Sequence, residues 1–134
     1  MVRTAAGSLV SGNKLRSTDD GKTWYRIKGF PATPGWCQQI LVLKTGWLLV
    51  SLVPGPVRGE NIAFIVWRDD GETWDVNHPV EAYNPGRPIG GWACLRTVQL
   101  DDQTLGTIFY DIDAQQPGGS GVFFATMPTA RLEN

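Results

Sequence analysis

The stretch Ser17-Thr18-Asp19-Asp20-Gly21-Lys22-Thr23-Trp24 returns as Trp67-Arg68-Asp69-Asp70-Gly71-Glu72-Thr73-Trp74, so Asp19, Gly21, Thr23 and Trp24 each recur fifty residues on. A second repetition runs at an offset of 56 to 57, as GWCQQILVLKTGWLLV from Gly35 and GWACLRTVQLDDQTLGTI from Gly91. A chain that repeats at such a period is built from similar units, none of which can cover its own faces. Neighbouring units must therefore stack, and the core must lie between them.

The units read as β-structure. The 16 Gly and 9 Pro act as punctuation between short apolar runs, and no segment sustains a helical period. Candidate strands are Ser8–Ser11, Lys14–Ser17, Trp24–Ile27, Gln39–Lys44, Trp47–Val53, Ile62–Trp67, Trp74–Asn77, Leu95–Leu100, Thr104–Ile112 and Val122–Met127. Turn signals such as SGN, KTG, DDG and PGG separate them, which predicts an all-β meander of hairpins. A period near fifty residues and four strands long is that of a β-propeller blade. The prediction is a single domain over 1–134, a partial propeller of about two and a half four-stranded antiparallel blades at 7–28, 36–78 and 91–128. An open stack leaves strand edges and faces uncovered, which points to a homo-oligomer closing a ring, or to a missing propeller half.

Composition narrows the partners. A net charge of −1 with no basic cluster argues against nucleic acid, because tracking phosphates takes several Lys or Arg on one face. No apolar run approaches the roughly 20 residues of a membrane span. The N-terminal MVRTAAGSLV lacks the apolar core of a secretory signal, which leaves localisation open. Cys37 and Cys94 form no C-x-x-C pair and read either as buried thiols or as a disulfide or ligand pair. With His78 the lone histidine, a zinc site or a histidine-based triad lacks partners, so no metal or other cofactor is expected.

The octet has a mechanical reading. Asp19 can accept hydrogen bonds from N–H groups of its own turn, and Ser17 adds a further bond. Gly21 can take the positive φ that closes the hairpin, and Trp24 can fold its indole against the turn. The octet also resembles the Asp box, S-x-D-x-G-x-T-W, of the sialidase and bacterial-neuraminidase-repeat propellers. The first copy matches every fixed position through Ser17, Asp19, Gly21 and Trp24. The second keeps Asp69, Gly71 and Trp74 but has Trp67 in the serine place. The resemblance implies that these boxes clamp blades on the propeller rim, between third and fourth strands and away from the binding site.

The resemblance spans Ser11 to Leu132 and corresponds to the last two to three blades of a six-bladed fold. In PVRGENIAFIVWRDDGETW it implies that Arg58 belongs to the arginine cluster that grips a substrate carboxylate, a task suited to a planar, permanently charged fork. Read without the family, Arg58 is an ordinary loop cation. Trp92 occupies the place of the family's nucleophilic tyrosine, and an indole has no ionisable oxygen with which to form a glycosyl-enzyme bond. Tyr83 and Tyr110 do not match that position. GRPIGG around Arg87 has letters in common with the family's R-I-P motif but falls too late in the chain.

The expected function is a non-catalytic, sialidase-like module that binds an acidic sugar or other carbohydrate through Arg58 and Trp92. Trp36 and Trp47 are further stacking surfaces, against a plainer reading in which the tryptophans pack between blades. The alternative is an exo-α-sialidase, a glycoside hydrolase whose site is completed by oligomerisation or by a missing N-terminal half. Retaining chemistry would then need a carboxylate pair drawn from Glu60, Asp111 and Asp113. A third reading is a truncated product that retains only its fold.

Overall fold

The computed structural model describes residues 1–12, 14–28, 39–52, 61–70, 78–87, 89, 95–111 and 121–133. Among them, strands form three antiparallel sheets, each a meander whose strands pair in chain order. The first sheet holds β1 (Val2–Arg3), β2 (Leu9–Ser11), β3 (Leu15–Ser17) and β4 (Tyr25–Arg26). The second holds β5 (Gln39–Val42), β6 (Leu48–Leu52), β7 (Ile62–Trp67) and β8 (Val80–Tyr83). The third holds β9 (Leu95–Gln99), β10 (Thr104–Asp111) and β11 (Gly121–Pro128), followed by a 3-10 turn over Thr129–Leu132.

The fold is all-β, as the repeats require, with two departures in detail. The first sheet begins at Val2, earlier than the expected boundary near Gly7. Val2 and Arg3 pair with Val10 and Leu9, which makes that sheet four-stranded. The second sheet ends on Val80–Tyr83, which the sequence did not mark; the expected Trp74–Asn77 lies outside the described residues.

The sheets stack in order, with the second between the other two. Alternation along each strand sends neighbouring side chains to opposite faces. Leu43, Leu49, Phe64 and Val66 of the second sheet meet Leu105, Met127 and Leu132 on one side. Leu48 and Trp67 meet Val10 and Ile27 on the other. All six residues of β7 are therefore buried, which is why Ile62–Trp67 reads as an unbroken apolar run. Each fully buried Leu or Phe here contributes about 1.5–3 kcal/mol.

Polar side chains fasten the sheets where apolar ones do not reach. β5 touches β1 on one side and β9 on the other. Gln39 of β5 donates from Nε2 to Thr97 O (3.0 Å) and accepts from Thr97 N (2.6 Å), so its amide stands in for a strand edge. Gln99 of β9 answers by accepting from Lys44 N at 2.8 Å. Behind them the hydroxyls of Ser51, Thr97 and Thr107 form a buried chain with steps of 3.2 and 3.1 Å. Each such bond contributes about 0.5–1.5 kcal/mol, and leaving one buried partner unsatisfied costs more.

These links align the sheets and define two ends. At one end lie the β1–β2, β5–β6 and β9–β10 turns together with the start of the β3–β4 and β7–β8 connections. At the other, β6, β8 and β10 finish and β5, β7, β9 and β11 begin.

Candidate functional site

The first octet is a closed hydrogen-bonded turn between β3 and β4. Ser17 Oγ donates to Asp19 Oδ1 (2.8 Å) and accepts from Gly21 N (2.8 Å). Asp19 also accepts from Thr23 N (2.9 Å) and Thr23 Oγ1 (2.6 Å). Gly21 sits at φ 87° and Asp20 at φ 58°, the left-handed pair that turns the chain. The Trp24 indole lies against Gly21 and donates from Nε1 to Gly21 O at 2.9 Å. These bonds tie Ser17, Asp19, Gly21, Thr23 and Trp24 to one another within the turn, which makes it a strand clamp.

The same bonds set the acidity of Asp19. The Thr23 hydroxyl, then the Thr23 N–H and the Ser17 hydroxyl, hold its carboxyl at about 2, below the ordinary 3.8. A depressed carboxylate stabilises the fold above its unfolded value, and that contribution fades as pH falls from 3.8 toward 2. A carboxyl-carbon NMR titration is expected to show Asp19 titrating near 2, and Thr23→Val is expected to return it toward 3.8. A midpoint near 3.8 in the unmodified protein would contradict the network.

In the second copy Asp69 and Asp70 follow β7, while Gly71 and Trp74 lie outside the described residues. Asp70 takes φ 54°, matching Asp20, but its carboxylate works across sheets. It accepts from Arg16, and from Ser8 Oγ at 3.0 Å, while Arg16 also donates to Ser8 Oγ at 3.0 Å. Trp47 sits at this same end, packed on the core with the Arg68 guanidinium 5.1 Å from its ring centre. It is therefore a packing residue.

The opposite end carries different chemistry. Asp111, the last residue of β10, is completely buried, and Arg87 binds it through both terminal nitrogens, at 2.8 and 3.3 Å. Arg87 keeps 31% of its side chain exposed while Asp111 keeps none, so the pair meets solvent on the arginine side. Just below, Phe109 stacks on Phe123 (5.6 Å) and meets Tyr83 at 4.7 Å, over Ile62, Ile89 and Leu95. Beside them, exposed Glu81 accepts from Asn61 and Asn84, each at 2.9 Å. Those amide donors, Asn61 foremost, hold its carboxyl below the usual glutamate range.

Arg58 and Trp92 lie outside the described residues, as do Trp36, Cys37, Cys94, Glu60 and Asp113. The flanking strand ends are described: β6 ends at Leu52, and β7 and β9 begin at Ile62 and Leu95, all at the Arg87–Asp111 end. Of the carboxylates expected to serve hydrolysis, Asp111 is engaged with Arg87. Sequence reasoning set Arg87 aside; only the stacking of sheets joins two residues 24 apart.

The chain matches no protein-family model, no curated protein and no solved structure.

Proposed function

We propose that this chain is a non-catalytic, sialidase-like module, a partial Asp-box β-propeller that holds an acidic sugar by its carboxylate without cleaving the glycosidic bond. The observation that carries the reading is the Arg87 guanidinium, gripped by fully buried Asp111 at the end of the sheets opposite the Asp19 turn. A buried carboxylate holds the guanidinium in one orientation, and a planar, permanently charged group suits a sugar carboxylate better than a point charge does. Tyr83, which meets Phe109 two residues before Asp111 on β10, has an aromatic ring of the kind sugars stack on.

The propeller reading draws support from three meanders stacked in sequence order, with β1, β5 and β9 as neighbours, and from the Asp-box bonds between third and fourth strands. In this reading Arg58 joins Arg87 on the carboxylate. Trp92 stacks on the ring from the place where the sialidases keep a reactive phenol, which is why binding is not followed by cleavage.

Calorimetric titration with sialyllactose and with lactose tests the proposal. Saturable binding of the first and none of the second is expected. Arg87→Lys keeps a positive charge against Asp111 but loses the fork, and is expected to weaken binding about tenfold, with Arg58→Ala doing at least as much. Binding to neither sugar would reject the proposal. Release of 4-methylumbelliferone from a sialoside would replace it with the hydrolase.

A further inference from the structure

We infer that the outer face of the third sheet is a self-association surface, on which two copies of this chain pack face to face about a two-fold axis. The inference is independent of any ligand and rests on a comparison of the sheets. Each sheet turns one face toward its successor. On the first sheet that face carries Val10 and Arg16 and is covered by the second. On the second it carries Leu41, Leu43, Leu49 and Ser51, covered by the third. The 57-residue offset maps these four onto Val98, Leu100, Gly106 and Ile108.

On the third sheet this face is open. Val98, Leu100, Ile108, Val122 and Phe124 are exposed by 49, 51, 46, 67 and 60%. The register makes them contiguous, since Ile108 pairs with Phe124, Tyr110 with Val122, and Gly106 with Val98. The patch is also flat. A Cβ on Gly106 would come within 2.6 Å of Phe124 Cζ and 3.0 Å of Leu100 Cδ1, so the phenyl ring lies across the glycine.

Such a patch exposes on the order of 400 Å² of apolar surface, within the roughly 300–600 Å² of the largest patch on a typical monomer, which is often functional. Two of them face to face, with their polar rims, reach the low end of the about 1,200–2,000 Å² buried by stable pairs. Paired sheets sit about 10 Å apart, a spacing the flattened Phe124 permits.

The occupant is a second copy of the same face because the opposite end of the stack is a poor partner. The outer face of the first sheet offers half-buried Leu9 and Leu15 and the turn-bound Trp24 indole, flanked by Arg26 and the exposed Arg3–Asp20 ion pair, on strands of two or three residues. Head-to-tail association would press Arg26 and the Arg3–Asp20 ion pair onto the apolar patch and strip their water there. Head-to-head association matches apolar surface with apolar surface and gives a closed, isologous contact.

Sedimentation equilibrium of the full chain is expected to give twice the 14.7 kDa chain mass. The double variant Ile108→Thr/Phe124→Thr keeps strand-favouring residues on an exposed face, so it should fold, as far-UV circular dichroism can verify. It is expected to weaken self-association at least about 100-fold, as loss of central anchors does. Under mild oxidation Ile108→Cys should cross-link to itself, with the unmodified chain as the control for Cys37 and Cys94. A monomer at every concentration, a dimer indifferent to the double variant, an open-ended aggregate, or cross-linking of Ile108→Cys only with a Leu15→Cys partner would each overturn the inference.

Discussion

Asp70→Ala is expected to lower the free energy of unfolding by about 3 kcal/mol, the low end of the cost of stripping one partner from a buried ion pair, because the Asp70 side chain keeps 24% of its surface exposed. Asp70 reaches from the end of β7 to the first sheet, where the Arg16 side chain is only 10% exposed. Ser8, also buried, sits between them, bonded to both side chains. Without the carboxylate the guanidinium has lost its counter-charge in a place where water barely reaches. Alanine also fits the φ of 54° poorly, which adds about 1–2 kcal/mol. Asp70→Asn separates the two effects, because asparagine tolerates that backbone and still offers an acceptor; about half the loss is expected. Combining Asp70→Ala with Arg16→Met removes the stranded charge and should recover most of the difference beyond the backbone strain. Urea unfolding followed by tryptophan fluorescence measures all three. A loss under about 1 kcal/mol for Asp70→Ala would mean that Arg16 swings into solvent and that the pair behaves as a surface one.

What could be read without coordinates divides along the range of the interactions. Ile62–Trp67 is recovered to the residue, because a strand covered on both faces is written as an uninterrupted apolar run. The bonds of Ser17, Asp19, Gly21 and Trp24 were legible because all of them close within eight residues. β1 was not, since two residues carry no period and Val2–Arg3 is a strand only by virtue of its pairing with β2. β8, Val-Glu-Ala-Tyr with an exposed Glu81, has too weak an alternation to stand out. The cross-chain pairs were equally hidden. Arg16 and Asp70 are 54 residues apart and Arg87 and Asp111 are 24, and only the stacking of sheets brings them together. Asp20 and Asp70 occupy the same octet position with the same left-handed backbone, yet one accepts locally from Arg3 and the other bridges two sheets.

The clearest test of that stacking is a substitution that looks like a repair. Trp67→Ser restores the serine that the first octet has at its opening position, and on motif grounds alone it should help. It is expected instead to destabilise the protein by about 4 kcal/mol or more, in the range of buried aromatic truncations. Trp67 is 1% exposed and fills the space between first and second sheets against Val10, Ile27 and Leu48. Ser17 occupies the matching position on the face of the first sheet turned away from the second, where its small, fully buried hydroxyl serves its own turn. The introduced hydroxyl could regain one or two turn bonds with Asp69, about 0.5–1.5 kcal/mol each, which cannot offset the cavity. Trp67→Phe keeps most of the volume and should cost clearly less. If thermal and urea unfolding found Trp67→Ser neutral or stabilising, the first and second sheets could not be packed as described, and the departure from the octet would be local after all.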